Sequence, residues 1–159
     1  MPLAIGPILT YAIYWSPLRF IEELLAIADP NGHDNDGFPP LIAALCKTHP
    51  HPGSPARDDV VEVIARLLDA DPNQRGLNDW TALHMAVVET NVEAVRLLLA
   101  RGADHEMRTR IDDCETALEL ARAGGVRKPE EKAALAAIVA LLSKPGFGGR
   151  MRGPEGGRQ

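Results

Sequence analysis

Aromatic side chains are scarce in this 159-residue chain: two Trp, two Tyr and three Phe make up 4% of it. A core built on large rings is therefore excluded, and Leu, Ala, Val and Ile are left to fill thin seams between helices. Cysteine is nearly absent. Cys46 and Cys114 are too few for a disulfide framework, which points to a reducing compartment, and a cytoplasmic location is expected. There is no basic excess either. The net charge of −5 argues against general attraction to nucleic acid or to an anionic membrane. Long apolar runs are missing: Pro2 to Trp15 is uncharged but too short to span a bilayer, and the first basic residue, Arg19, follows it, so neither an anchor nor a secretion signal is expected. Finally, the chain has no Gly-rich phosphate loop, no Gly-x-Ser-x-Gly elbow and no His-Glu-x-x-His, so catalysis is not expected.

What is present is helical periodicity in short pieces. Leu83, Ala86 and Val87 fall at i, i+3 and i+4, predicting a helix from about Thr81 to Glu89. Val92, Val95, Leu98 and Leu99 share a face of a second helix, from about Val92 to Arg101. Thr81 suits the N-cap of the first, and Gly102 supplies the left-handed residue that ends the second. Helices this short are marginal alone, because nucleation is costly and one thin seam buries little. The unit needs neighbours.

Thr81-Ala82-Leu83-His84 followed by Ala86, then Leu98-Leu99 and Gly102-Ala103-Asp104, resembles an ankyrin repeat. That repeat has a period of about 33 residues and a Thr-Pro-Leu-His-x-Ala signature, whose Pro is Ala82 here. Three weaker copies flank it. Leu9, Ala12 and Ile13 with Leu18, Ile21, Leu24 and Leu25 reproduce both stripes, Ser16-Pro17 between them reading as an N-cap with Pro at the first helical position. Leu41, Ala44 and Leu45 with Val61, Ile64, Leu67 and Leu68 do so again, with Ile42 where His84 stands. Thr116-Ala117-Leu118-Glu119-x-Ala121 with Leu135, Ile138, Leu141 and Leu142 form the last copy. There Arg122 replaces Val87, as expected where a stack meets solvent.

The resemblance implies an all-α ankyrin-repeat solenoid of stacked helix-turn-helix pairs joined by β-hairpin fingers. It would occupy residues 1–144, with repeats near 6–31, 32–73, 74–106 and 107–144 and insertions at 46–59 and 124–132. The spacings Leu9 to Leu41, Leu41 to Leu83 and Leu83 to Leu118 are 32, 42 and 35, so the solenoid is not uniform. The finger from Asp104 to Thr116 is longer than its two predecessors. Residues 145–159 are Gly- and Arg-rich and read as a disordered tail.

Two metal readings fall away on chemistry. Asp34-x-Asp36-Gly37 echoes a calcium loop, but its first ligand would be Gly32 and its last Ala43. Cys46, His49 and His51 are ligands by type without a fourth, and the His-Pro-His-Pro run reads as an extended loop. No metal or cofactor is therefore expected. What the resemblance implies instead is binding of another protein through the finger tips and the variable exposed positions of the first helices. Carried over by alignment, these are Tyr14, Trp15, Phe38, Cys46, Lys47, Trp80, Val88 and Glu89, with Glu115, Ala123 and Gly124 in the last repeat. Tyr and Trp in such places anchor interfaces. The expected molecule is a monomeric adaptor or inhibitor; the alternative is a subunit that packs through its N-terminal aromatic end.

Overall fold

A computed structural model describes residues 6–34, 37–46, 57–67, 69–110, 114–124 and 128–144. Lys47, His49, His51, Asp36 and the tail at 145–159 lie outside the described residues. The helices are α1 (Gly6–Trp15), α2 (Leu18–Leu25), α3 (Pro40–Leu45), α4 (Val60–Arg66), α5 (Ala82–Val88), α6 (Val92–Ala100), α7 (Ala117–Ala123) and α8 (Pro129–Leu142), with a short 3-10 turn at Leu77–Asp79. Each odd helix pairs with the even one that follows it. The pairs stack in two tiers: α1 on α3, α3 on α5 and α5 on α7 in one, α2 on α4, α4 on α6 and α6 on α8 in the other. None of the described helices is long and apolar enough to cross a membrane.

Local signals set the ends of these helices. Thr81 and Thr116 take extended backbone as N-caps of α5 and α7, and Asn91 accepts the Ala94 N–H at 3.0 Å to cap α6. Gly102, at φ +86°, ends α6 in a Schellman turn: Ala103 N–H donates to Leu98 O and Gly102 N–H to Leu99 O, each at 3.0 Å. Pro129 occupies the first position of α8, inside the interval read as insertion. Pro17 differs from expectation. Its ψ of 156° makes it the cap of α2 rather than its first residue.

The core is broader than the stripes suggested, because an inner helix touches its own partner and both stacking neighbours. Every residue of α3 is buried. Ala94 and Val63 are buried alongside the expected Val95, Leu98, Leu99 and Ile64, while Val92 and Val61 are only half-buried. Exposed Arg122 marks where the tier of α1, α3, α5 and α7 ends.

The expected β-hairpin fingers are turns rather than strand ladders. Among the described residues the one β-type pairing is an isolated antiparallel bridge between Arg108 and Thr116. A backbone bond among the described residues spans each neck: Asp34 N–H to Phe38 O at 3.1 Å, Gly76 N–H to Trp80 O at 2.7 Å and Thr109 N–H to Glu115 O at 3.1 Å. In the second finger the three residues between the neck positions, Leu77, Asn78 and Asp79, are consumed by the turn itself.

Polar side chains then tie each repeat to the next. Asp29, Asp71 and Asp104 each accept the N–H two residues on, at 2.9 Å, in an Asx turn. Asn31, held in the first of these turns, accepts Asp71 N–H at 2.7 Å, and Asn73, held in the second, accepts Asp104 N–H at 2.6 Å. Two arginines do the same for helix ends. Arg57 donates to Ile13 O at 2.8 Å and Ser16 O at 2.7 Å beyond α1 while both Asp59 oxygens hold its fork, which in turn keeps the Asp59 carboxyl below its ordinary range. Arg101 donates to Ile64 O and, at 2.9 Å, to Ala65 O at the end of α4.

Candidate functional site

A groove of about 370 Å³ lies between the bases of the first two fingers and the ends of α3 and α5. It is lined by Phe38, Ile42, Cys46, Leu77, Asn78, Trp80, Met85, Val88 and Glu89. The repeat explains why they meet. Phe38 and Trp80 each precede an N-terminal cap, and Cys46 and Val88 occupy the same register of α3 and α5, so stacking one repeat on the next brings equivalent positions side by side. Met85, Val88 and Glu89, at i, i+3 and i+4, form the rim of α5 next to its buried stripe.

The second finger forms one wall. Asn78 and Asp79 both have positive φ, 59° and 61°, and Trp80 N–H donates to Leu77 O at 3.3 Å, the geometry of a type I′ turn that Asn and Asp tolerate. The turn leaves Leu77 55% exposed above the groove. Gly76 lets the finger approach: a Cβ there would stand 2.7 Å from Ile42 Cδ1 and 3.2 Å from Pro39 Cδ. Ile42 thus makes by apolar contact the junction that His84 makes by hydrogen bonds one repeat later.

His84 is buried beneath Trp80, whose ring meets it edge-on at 5.8 Å between centroids. Its Nδ1 lies 2.8 Å from the Thr81 hydroxyl and accepts the Thr81 N–H at 3.3 Å, while Nε2 donates to Glu115 O, 3.2 Å away in the next repeat. Both nitrogens are engaged. Burial lowers its pKa, so the ring is held neutral. At the following cap Glu119 stands in for His: Thr116 N–H donates to Oε2 at 2.8 Å and Arg108 grips both oxygens at 2.9 and 3.0 Å. The Thr116 amide first, and then the Arg108 fork, pull that carboxyl down to about 2. Cys46 goes the other way. Burial, with Glu89 and Asp34 adding to it, pushes the thiol up to about 11, so it contributes an apolar surface and not a nucleophile.

Of the residues expected from the sequence, Phe38, Cys46, Trp80, Val88 and Glu89 come together in this groove. Tyr14 is a correction: it is 1% exposed and belongs to the core, because the α1 face that carries it turns inward toward Ser16, Pro17 and the Arg57 staple. Trp15 is 49% exposed but sits at the outer end of the stack, away from the groove. Lys47 lies outside the described residues. Ala123, Gly124 and Glu115 do not line the groove either. Ile42, Leu77, Asn78 and Met85 were not anticipated. The signal for Ile42 was an apolar residue at the His84 register, and for Leu77 an apolar residue alone in a polar finger.

The family model described as Ankyrin repeats (3 copies) matches residues 9–109 and, overlapping, 55–128. The chain belongs to the ankyrin-repeat family. As a group, ankyrin repeats are protein–protein interaction modules without catalytic machinery of their own. Among curated proteins the ankyrin-repeat chain is similar to alpha-latroinsectotoxin-Lt1a of Latrodectus tredecimguttatus, with 31% identity over 97 residues. That stretch covers 60% of this chain and 6% of the toxin, so the likeness is confined to a small piece of a far longer protein.

Proposed function

We propose that this ankyrin-repeat chain is a non-catalytic adaptor or inhibitor that holds one segment of a partner protein in the groove between Phe38 and Glu89. The observation that carries the reading is the convergence of Phe38, Leu77, Trp80, Met85 and Val88 on one open groove with a carboxylate at its edge. Apolar rings beside a polar rim are the composition of an interface centre, where a few buried anchors supply most of the affinity. The pocket suits an aliphatic or aromatic side chain presented by a helix or loop. Two unpaired thiols, Cys46 and Cys114, suit a reducing cytoplasmic setting. The acidic balance favours a protein partner over nucleic acid.

The test is capture of partners by the tagged chain, compared with two groove variants. Trp80→Ala removes the largest anchor, and Leu77→Asp charges the groove at an exposed position whose change leaves the core intact. Both should lose the same captured protein while Arg96→Ala, on an exposed face of α6, keeps it. Equal retention by Leu77→Asp and wild type would place the binding surface elsewhere.

A further inference from the structure

We infer that a second copy of this chain covers the outer face of the first repeat, packing α1 against α1 about a two-fold axis. This surface is distinct from the groove, and the inference stands without it. Six large hydrophobic side chains are well exposed among the described residues: Ile8, Tyr11, Trp15, Phe20, Ile27 and Leu77. Leu77 belongs to the groove; the other five lie on α1 and α2 or just beyond. Ile8, Tyr11 and Trp15 recur at i, i+3 and i+7, forming a stripe opposite Leu9, Ala12 and Ile13, which pack inward. With Phe20 they border a shallow cleft of about 300 Å³. No charged residue occurs anywhere in α1.

A repeat stack normally ends in a polar face; in the last repeat Arg122, Glu130 and Lys132 are exposed, and the apolar residues exposed beside them are small, Ala123, Ala133, Ala136 and Ala140. Among the described residues the first repeat thus presents outward the kind of apolar face that an interior layer carries. Five side chains about half exposed, at ~200 Å² each, present roughly 500 Å² of apolar surface, above the few hundred Å² usual for a free monomer face. With a polar rim this approaches the ~800 Å² per partner of a stable interface.

The identity of the neighbour follows from symmetry and charge. Stacking head to tail would press uncharged α1 against Arg122, Glu130 and Lys132 and bury charges without partners. A two-fold contact joins apolar face to apolar face and closes on itself. Arg19 and Glu23, both exposed, flank Phe20 one helical turn apart. Placing α2 antiparallel to its copy sets each Arg19 over the Glu23 of the other chain, which fixes the register.

Sedimentation of the full chain over two decades of concentration tests this. Wild type should rise to twice the chain mass. Trp15→Glu should remain at the chain mass with unchanged helical circular dichroism, and Leu77→Asp should still dimerise. Arg19→Glu should weaken association at least tenfold, and adding Glu23→Arg should restore it. A wild type that stays monomeric at the highest concentration, a Trp15→Glu dimer, or a charge swap that fails to restore association would each overturn the inference. Loss of dimer in Trp15→Glu with partner capture intact would leave the groove reading standing; the reverse result with Leu77→Asp would leave the dimer standing.

Discussion

His84 gives the sharpest forecast, since one buried ring joins a helix cap to the neighbouring repeat. Its Nδ1 serves Thr81 and its Nε2 donates to Glu115 O. Replacing it with Ala removes about three hydrogen bonds worth ~0.5–1.5 kcal/mol each and strands a buried amide and carbonyl. Lost ring packing adds to this, so about 3–4 kcal/mol is expected, a large share of the stability of a small domain. The same ring makes the fold acid-sensitive. Because burial lowers its pKa, the unfolded chain takes up the proton first. The stability it contributes is complete above about pH 6.5 and declines as pH falls toward the lower folded value. A proton on Nδ1 also destroys the acceptor that Thr81 needs. Urea unfolding at pH 7.5 and 5.5 measures both effects. Wild type should lose midpoint at the lower pH; His84→Gln should start lower and change less. Equal pH dependence in the two proteins would refute the account of this ring.

Leu98 is fully buried between the tiers, so Leu98→Ala should cost about 2–5 kcal/mol in urea unfolding; an unchanged midpoint would contradict the packing. Arg101→Ala should cost about 1–3 kcal/mol by freeing two carbonyls at the end of α4. Arg101→Lys should recover little of it, because an ammonium lacks the two-pronged fork. Glu119 titrates at about 2, below its ordinary value, so its contribution is present above about pH 4.5 and lost as pH falls toward 2. Arg108→Ala should move the Glu119 carboxyl resonance to a higher midpoint in an NMR titration.

Much of the fold could be read from the spacing of small apolar residues, because each helix must bury a stripe and each stripe recurs in register. The bounds of α5 and α6 fell within a residue of those expected, since Thr81 and Gly102 are unambiguous start and stop signals. Burial of Ala94 and Val63 was not legible. Whether a helix is covered on one side or three depends on neighbours far away in sequence. The Arg57 and Arg101 staples were hidden for the same reason, as a charged residue off the apolar face looks merely solvated. The groove was half legible. Repeat register placed Phe38, Trp80, Cys46 and Val88 together, but it also put Tyr14 on the surface, and only packing around Arg57 shows that ring turning inward.

On the proposed function a partner polypeptide occupies the groove between the second and third repeats. A photo-crosslinking side chain placed at Val88, on its rim, tests this most directly when compared with the same group at Arg96, on an exposed face of α6. Irradiation in the presence of the captured partner should give a covalent adduct from position 88 alone. An adduct from position 96 with none from 88 would contradict the claim.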